Sequence, residues 1–121
     1  TVGTVHLSYT DHFKPMDHQI AETAKLLEIV NHKTERYFLT GDFNALPESD
    51  VVNSVESYLQ HCGPDYMKPT WTTKKIEYND FYEDQLRYRM DYVFATRDIQ
   101  IHSAEILPTP FSDHLPVVVK F

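Results

Sequence analysis

Apolar and polar positions fall in blocks along this chain, and the period within each block predicts an element. Val2 to Leu7 is short and β-rich and ends at the polar turn Ser8-Tyr9-Thr10-Asp11, so it reads as a strand. From Met16 to His32 the period lengthens. Ile20, Ala24, Leu27 and Val30 recur three and four apart, with Glu22, Lys25 and Glu28 opposite, which predicts an amphipathic helix. Pro15 and Asp17 suit its start, since proline fixes φ and a carboxylate favours the positive end of the helix dipole. Tyr37 to Thr40 reads as a buried strand stopped by Gly41, followed by the loop Asp42-Phe43-Asn44-Ala45-Leu46-Pro47. A second helix is predicted from Ser49 or Asp50 to Gln60. Gly63-Pro64-Asp65 breaks the pattern, and residues 64–88 read as a long aromatic excursion with one short strand at Thr70 to Thr73. Three strands follow, at Met90 to Ala95, Ile99 to Ile106 and Val117 to Phe121.

The order β-α-β-α, then a loop and three strands, predicts a layered α/β or α+β architecture. A length of 121 residues suits one domain, and no internal repeat or linker divides it. With 41% hydrophobic and 13% aromatic residues the chain can build a packed core, which excludes disorder as its main state. Against 18 Asp and Glu stand 11 Lys and Arg, a formal charge of -7. That is no basic nucleic-acid footprint, although a local basic patch can sit within an acidic total. The single cysteine, Cys62, excludes an internal disulfide. No apolar run approaches the ~18–20 residues of a membrane span. The chain opens at Thr1, without methionine or signal pattern, and already inside a strand; a mature chain, a cut chain and a fragment all fit this. No compartment follows from the sequence.

Three polar clusters fall where strands end: Gly41-Asp42-Phe43-Asn44, Arg89-Met90-Asp91-Tyr92 and Ser112-Asp113-His114, with His6 near the end of the first strand as a fourth candidate. Each has a plain reading as well. Asp42 and Asn44 are common turn residues, Ser112-Asp113 can cap a turn, and His6 alone is more often a core histidine. Asp91 is different, because an unpaired carboxylate between Met90 and Tyr92 is costly, and a histidine is its natural partner. Together the groups fit metal-assisted attack of water on a phosphate ester. Carboxylates with Asn44 suit Mg²⁺, and a carboxylate-oriented histidine suits a general base. Trp71, among Lys68, Lys74 and Lys75, is a candidate base-stacking residue, or a core residue among solvated lysines. Arg87 and Arg89 can reach a phosphate as bidentate donors, or pair with Glu83 and Asp84. His12, His18, His32, His61 and His102 show no metal spacing and read as surface or packing residues.

Gly41-Asp42-Phe43-Asn44, Met90-Asp91-Tyr92-Val93-Phe94 and Ser112-Asp113-His114-Leu115-Pro116 resemble, in order, the C-terminal motifs of the endonuclease/exonuclease/phosphatase superfamily. Val5-His6-Leu7 resembles its histidine-bearing strand before the amphipathic helix. The resemblance implies the α/β class: the C-terminal half of a four-layered, DNase I-like sandwich, with a mixed, mainly antiparallel sheet and helices on one face. It implies metal or phosphate binding at Asp42 with Asn44, a metal ligand at Asp113, and a general base or phosphate contact at His114. Asp91 then orients His114, and His6 contacts phosphate or donates a proton. The implied cofactor is Mg²⁺, with Mn²⁺ as the alternative.

In that family an early Asn and a Glu come from an N-terminal half that has no counterpart here. The resemblance therefore implies a sheet face left open for that half or for self-association. It implies a phosphate-ester substrate, whether nucleic acid, phospholipid or small molecule. A non-catalytic fragment or interaction module is the alternative reading.

Overall fold

The computed structural model describes residues 1–32 and 35–121. In chain order its elements are β1 (Val2–His6), α1 (Asp17–Asn31), β2 (Phe38–Asp42), α2 (Asp50–Tyr58), β3 (Gln60–His61), β4 (Ile76–Tyr78), β5 (Phe81–Glu83), β6 (Asp91–Ala95), β7 (Ser103–Ile106) and β8 (Val117–Lys120). A short 3-10 turn at Asp11–Phe13 precedes α1. Four strands form the central sheet in the order β1-β2-β6-β3. β1 runs parallel to β2 through the α1 crossover, and β6 is antiparallel to both β2 and β3. This is an α/β fold on a mixed, mainly antiparallel sheet.

Side chains alternate across the sheet with period two, and each face finds its own cover. Leu39, Tyr92 and Phe94 pack with Val30 of α1 and Val51, Val52 and Val55 of α2. On the other face Phe38, Val93 and Ala95 meet Ile99, Ile101, Val117 and Val119, so the β7–β8 hairpin lies there. Both helices thus share one face. α2 starts where its sequence predicts, with the Ser49 side chain accepting from the Val52 N–H at 3.3 Å. It ends at Tyr58, two residues short of the expected Gln60, because Leu59 turns extended and Gln60–His61 joins the sheet edge.

Helix α1 is rotated from the face its apolar spacing predicts. Ile20 and Ala24 are exposed, and Gln19, Thr23 and Val30 are buried. The cause is polar. The Gln19 amide nitrogen lies 3.0–3.2 Å from the carbonyls of Ser8, Phe43 and Asn44. Glu22 accepts from the Ser8 backbone N–H and hydroxyl, at 3.0 and 2.6 Å. Buried carbonyls at strand ends need donors, and the helix turns its carboxamide inward to supply one.

Gly41 does not stop β2, which continues to Asp42. It permits the pairing instead: Gly41 sits opposite Val5 with φ +137, and a Cβ there would lie 1.9 Å from the Val5 carbonyl oxygen. Two other differences are local. Ile99 and Ile101 pack against the sheet, leaving only Ser103–Ile106 as strand. Residues 64–88 hold the β4–β5 hairpin, turned by Asn79-Asp80 with Asn79 at φ 50.

Gly41→Ala is expected to cost more than about 2 kcal/mol, since left-handed strain of about 1–3 kcal/mol adds to the clash with β1. Urea unfolding measures it, and an unchanged midpoint would contradict this account of β1–β2 packing.

Candidate active site

The sheet register sets the site. His6 lies opposite Asp42 across the parallel pair, and Asp42 lies opposite Asp91 across the antiparallel pair. Directly opposed residues share a face, so three strands present a histidine and two carboxylates in one row. His6 is at the C-terminal end of β1 and Asp42 at that of β2. Asp91 opens β6, whose reversed direction brings its start to the same edge.

The end of β2 is locked from several sides. The Leu7 N–H donates to the Asp42 carbonyl at 3.0 Å, and the Phe43 N–H to the Met90 carbonyl at 2.9 Å. Asn44 is buried in the left-handed region, φ 46, which asparagine tolerates better than most residues. Its amide donates to the Leu7 carbonyl at 2.8 Å, and its backbone N–H donates to Asp42 Oδ1 at 2.8 Å. Asn44 therefore ties the ends of β1 and β2 together and aims Asp42. Asp42 Oδ2 stays free for two histidines, 3.5 Å from His6 Nε2 and 3.8 Å from His114 Nε2.

His114 arrives on a distant loop, and Thr70–Thr73 holds it there. The Thr70 hydroxyl oxygen accepts from the N–H groups of Met90 and Asp91, at 3.0 and 3.1 Å. Its carbonyl accepts from the Leu115 N–H at 2.8 Å. Trp71 exchanges both backbone bonds with Tyr88, and the Thr73 N–H donates to the Asp113 carbonyl at 3.0 Å. One extended segment thus clamps the Asp91 end of β6 to the turn carrying Asp113 and His114.

The clamp brings His114 Nδ1 to 2.8 Å from Asp91 Oδ2. A carboxylate beside Nδ1 fixes the proton on that nitrogen and leaves Nε2 turned toward Asp42. Burial alone would push the His114 pKa down. The Asp91 hydrogen bond and the charges of Asp91, Asp42 and Asp113 outweigh it and hold the imidazole above its ordinary value. Asp42 is also raised. Burial is the main cause, and the Asp91 charge adds to it against the Asn44 N–H and the two histidines. A cavity of about 410 Å³ opens beside this row, lined by Thr40, Asp91, Val93, Ser112, His114 and Pro116 among others.

One oxygen each of Asp42 and Asp91 and one nitrogen of His114 lie within 4.8 Å of one another, a group that could hold a metal ion. Two carboxylates suit a hard divalent cation, and the imidazole suits Mn²⁺ better than Mg²⁺. The donor set therefore fits a divalent cation without fixing which. Asn44, expected as a companion ligand, has its amide nitrogen committed to Leu7. Asp113 is not brought into the group; its Oδ2 accepts from the Trp71 indole N–H at 3.3 Å.

The expected substrate residues stand apart from one another. Trp71 is half-buried beside His114, with ring centroids 6.1 Å apart. Arg87 is exposed and clasps the buried carboxylate of Glu83 with Nε and Nη2, at 2.6 and 2.8 Å. That clasp, with the N–H groups of Gln85 and Asp84, holds Glu83 down to about 2. Arg89 is buried, and Nε donates to the Asp91 carbonyl and Nη1 to the Lys68 carbonyl. Both arginines line a different cleft, with Glu48, Asn53 and Tyr66, and neither lines the cavity at Asp91 and His114. Of the other histidines, His61 is stacked on Tyr66, and burial holds it at about 4. Thr70 and Gln19 position the site without touching it. No motif marks either one.

The chain belongs to the endonuclease/exonuclease/phosphatase family, whose sequence model matches residues 2–114. The members of that family are phosphoester hydrolases. Solved structures agree on the fold. A functionally unknown conserved protein from Enterococcus faecalis shares 21% identity with a TM-score of 0.75, over 98% of this chain and 48% of that one. The human Nocturnin catalytic domain with bound sulfate shares 21% with a TM-score of 0.65, over 98% and 45%. A mannosyl-6-phosphatase from Bacteroides thetaiotaomicron shares 16% with a TM-score of 0.57, over 97% and 49%. The chain thus spans about half the length of these structures. No curated protein matches it.

A raised imidazole binds its proton more tightly when folded, so the pair stabilises the fold below the unfolded value of 6.5 and loses that contribution as pH rises through the folded value. NMR titration of the His114 ring is expected to give a midpoint above 6.5, and Asp91→Asn should lower it. A midpoint at or below 6.5 in the parent chain would contradict the pairing.

Proposed function

We propose that this chain is the C-terminal half of a metal-dependent phosphoester hydrolase domain and carries its general base. The observation that supports this best is the 2.8 Å contact between Asp91 and His114 Nδ1, which leaves Nε2 facing Asp42 at the edge of an open cavity. In this reading His114 Nε2 takes a proton from water as the water attacks phosphorus and the bond to the leaving oxygen breaks. Asp91 holds the ring in place and stabilises the imidazolium that forms. His6, largely exposed at the end of the row, meets a phosphoryl oxygen or returns a proton to the leaving group. A divalent cation, Mg²⁺ or Mn²⁺, held at Asp42 with its neighbours would neutralise charge on the phosphoryl group. Asp42, aimed by Asn44, is the candidate ligand from this half with Asp91 beside it, and the other half would complete the set.

Exposed apolar side chains support contact with a second half or a second copy. Val2, Phe111 and Phe121 are 70%, 91% and 71% exposed, large apolar groups that a second half or a second copy would cover. The substrate is a phosphoester, and a charge of -7 disfavours long duplex DNA, where many phosphate contacts need cations. Among the described residues no helix is long and apolar enough to cross a membrane.

Hydrolysis of an aryl phosphodiester by the complete domain tests the reading, with Mg²⁺, Mn²⁺ or chelator. Turnover is expected to need the cation, and His114→Ala is expected to lower it by about 10²–10⁴. Turnover near that of the parent in His114→Ala would remove the proposed base.

A further inference from the structure

Trp71 is the chain's single tryptophan and touches the site without lining its cavity. Its ring is packed on four sides. Phe13 meets it edge-on at 5.6 Å, Phe81 stacks at 5.9 Å, Tyr88 lies tilted at 6.0 Å and His114 at 6.1 Å. A ring so enclosed has little face left for a substrate to stack on. Its one polar atom points at the site, and the indole N–H donates to Asp113 Oδ2 at 3.3 Å. The next residues fasten the same turn. The Thr73 N–H donates to the Asp113 carbonyl, and the Thr73 hydroxyl to the Ser112 carbonyl. The turn so held carries His114.

From this we infer that Trp71 is a positioning residue acting through Asp113, and not a substrate-stacking platform. The indole N–H pins the Asp113 carboxylate, the ring walls one side of the His114 imidazole, and together they keep Nδ1 on Asp91. This role rests on the hydrolase reading for its kinetic consequence, and on geometry alone for the contact itself.

Two measurements on the complete domain separate these. The Trp71 indole N–H resonance, assigned by its loss in Trp71→Phe, reports the contact directly. It is expected to exchange slowly with solvent and to shift in Asp113→Asn, whether or not the protein hydrolyses anything. A resonance that exchanges freely, or that Asp113→Asn does not move, overturns the inference. Kinetics then test the role with Trp71→Phe, which keeps an aromatic ring in the cluster and removes only the donor and part of the ring. A drop of about tenfold in kcat at unchanged KM is expected, the size of one lost hydrogen bond to a charged group. Trp71→Phe should cost less than twofold when Asp113 is already Ala, which leaves the indole no acceptor. A rise in KM at unchanged kcat would make Trp71 a substrate contact, and equal losses in both backgrounds would make it a packing residue only. Either result overturns the inference. A parent domain with no hydrolysis under any cation would instead count against the hydrolase reading, and the resonance would still decide the contact.

Discussion

Asp91 is the constraint around which this site is arranged. It opens a strand whose next four residues are buried, and its row neighbour Asp42 is another carboxylate. Two carboxylates side by side in a half-buried edge repel, and each is costly to leave unpaired. His114 resolves this by donating to Asp91 from Nδ1 while turning Nε2 toward Asp42. The arrangement that satisfies the electrostatics of the sheet edge is also the one that poises an imidazole above its ordinary pKa. Fold stability and the placement of the imidazole therefore come from the same contact.

Nothing local brings His114 to Asp91, because 22 residues lie between them. The link is Thr70–Thr73, whose hydrogen bonds reach β6 on one side and the Ser112–Leu115 turn on the other. Gln19 and Asn44 play a comparable part for β1 and β2, each spending its amide on strand-end carbonyls. Polar side chains that never reach the cavity thus hold the groups that do. Arg89 belongs with them: buried, it spans from the Asp91 carbonyl to the Lys68 carbonyl and steadies the approach to β6.

Much of this was legible along the chain. Strands at Val2, Tyr37, Met90 and Val117 and both helices fell within a few residues of their observed bounds, because period and punctuation carry that information. Two of the polar clusters were legible as strand-end groups, whereas Ser112–His114 sits on the loop between β7 and β8, and the need of Asp91 for a histidine followed from its apolar flanks. The face of α1 was not, since a buried glutamine outweighed an apolar stripe that points partly to solvent. Gly41 reads along the sequence as a strand end, yet it marks a close approach of two backbones. The β4–β5 hairpin did carry a signal, Asn79-Asp80 between two short aromatic runs, hidden by the charged residues around it. Which carboxylate meets which imidazole is a matter of register and loop closure, and spacing alone does not encode it.

Whether Asp91 acts through His114 is tested most directly by a double-mutant cycle on phosphodiester hydrolysis by the complete domain. Asp91→Asn is predicted to lower kcat at least tenfold when His114 is present and by less than twofold when it is already Ala. The same factor in both backgrounds would contradict the account, because Asp91 would then work on the reaction without the imidazole it holds.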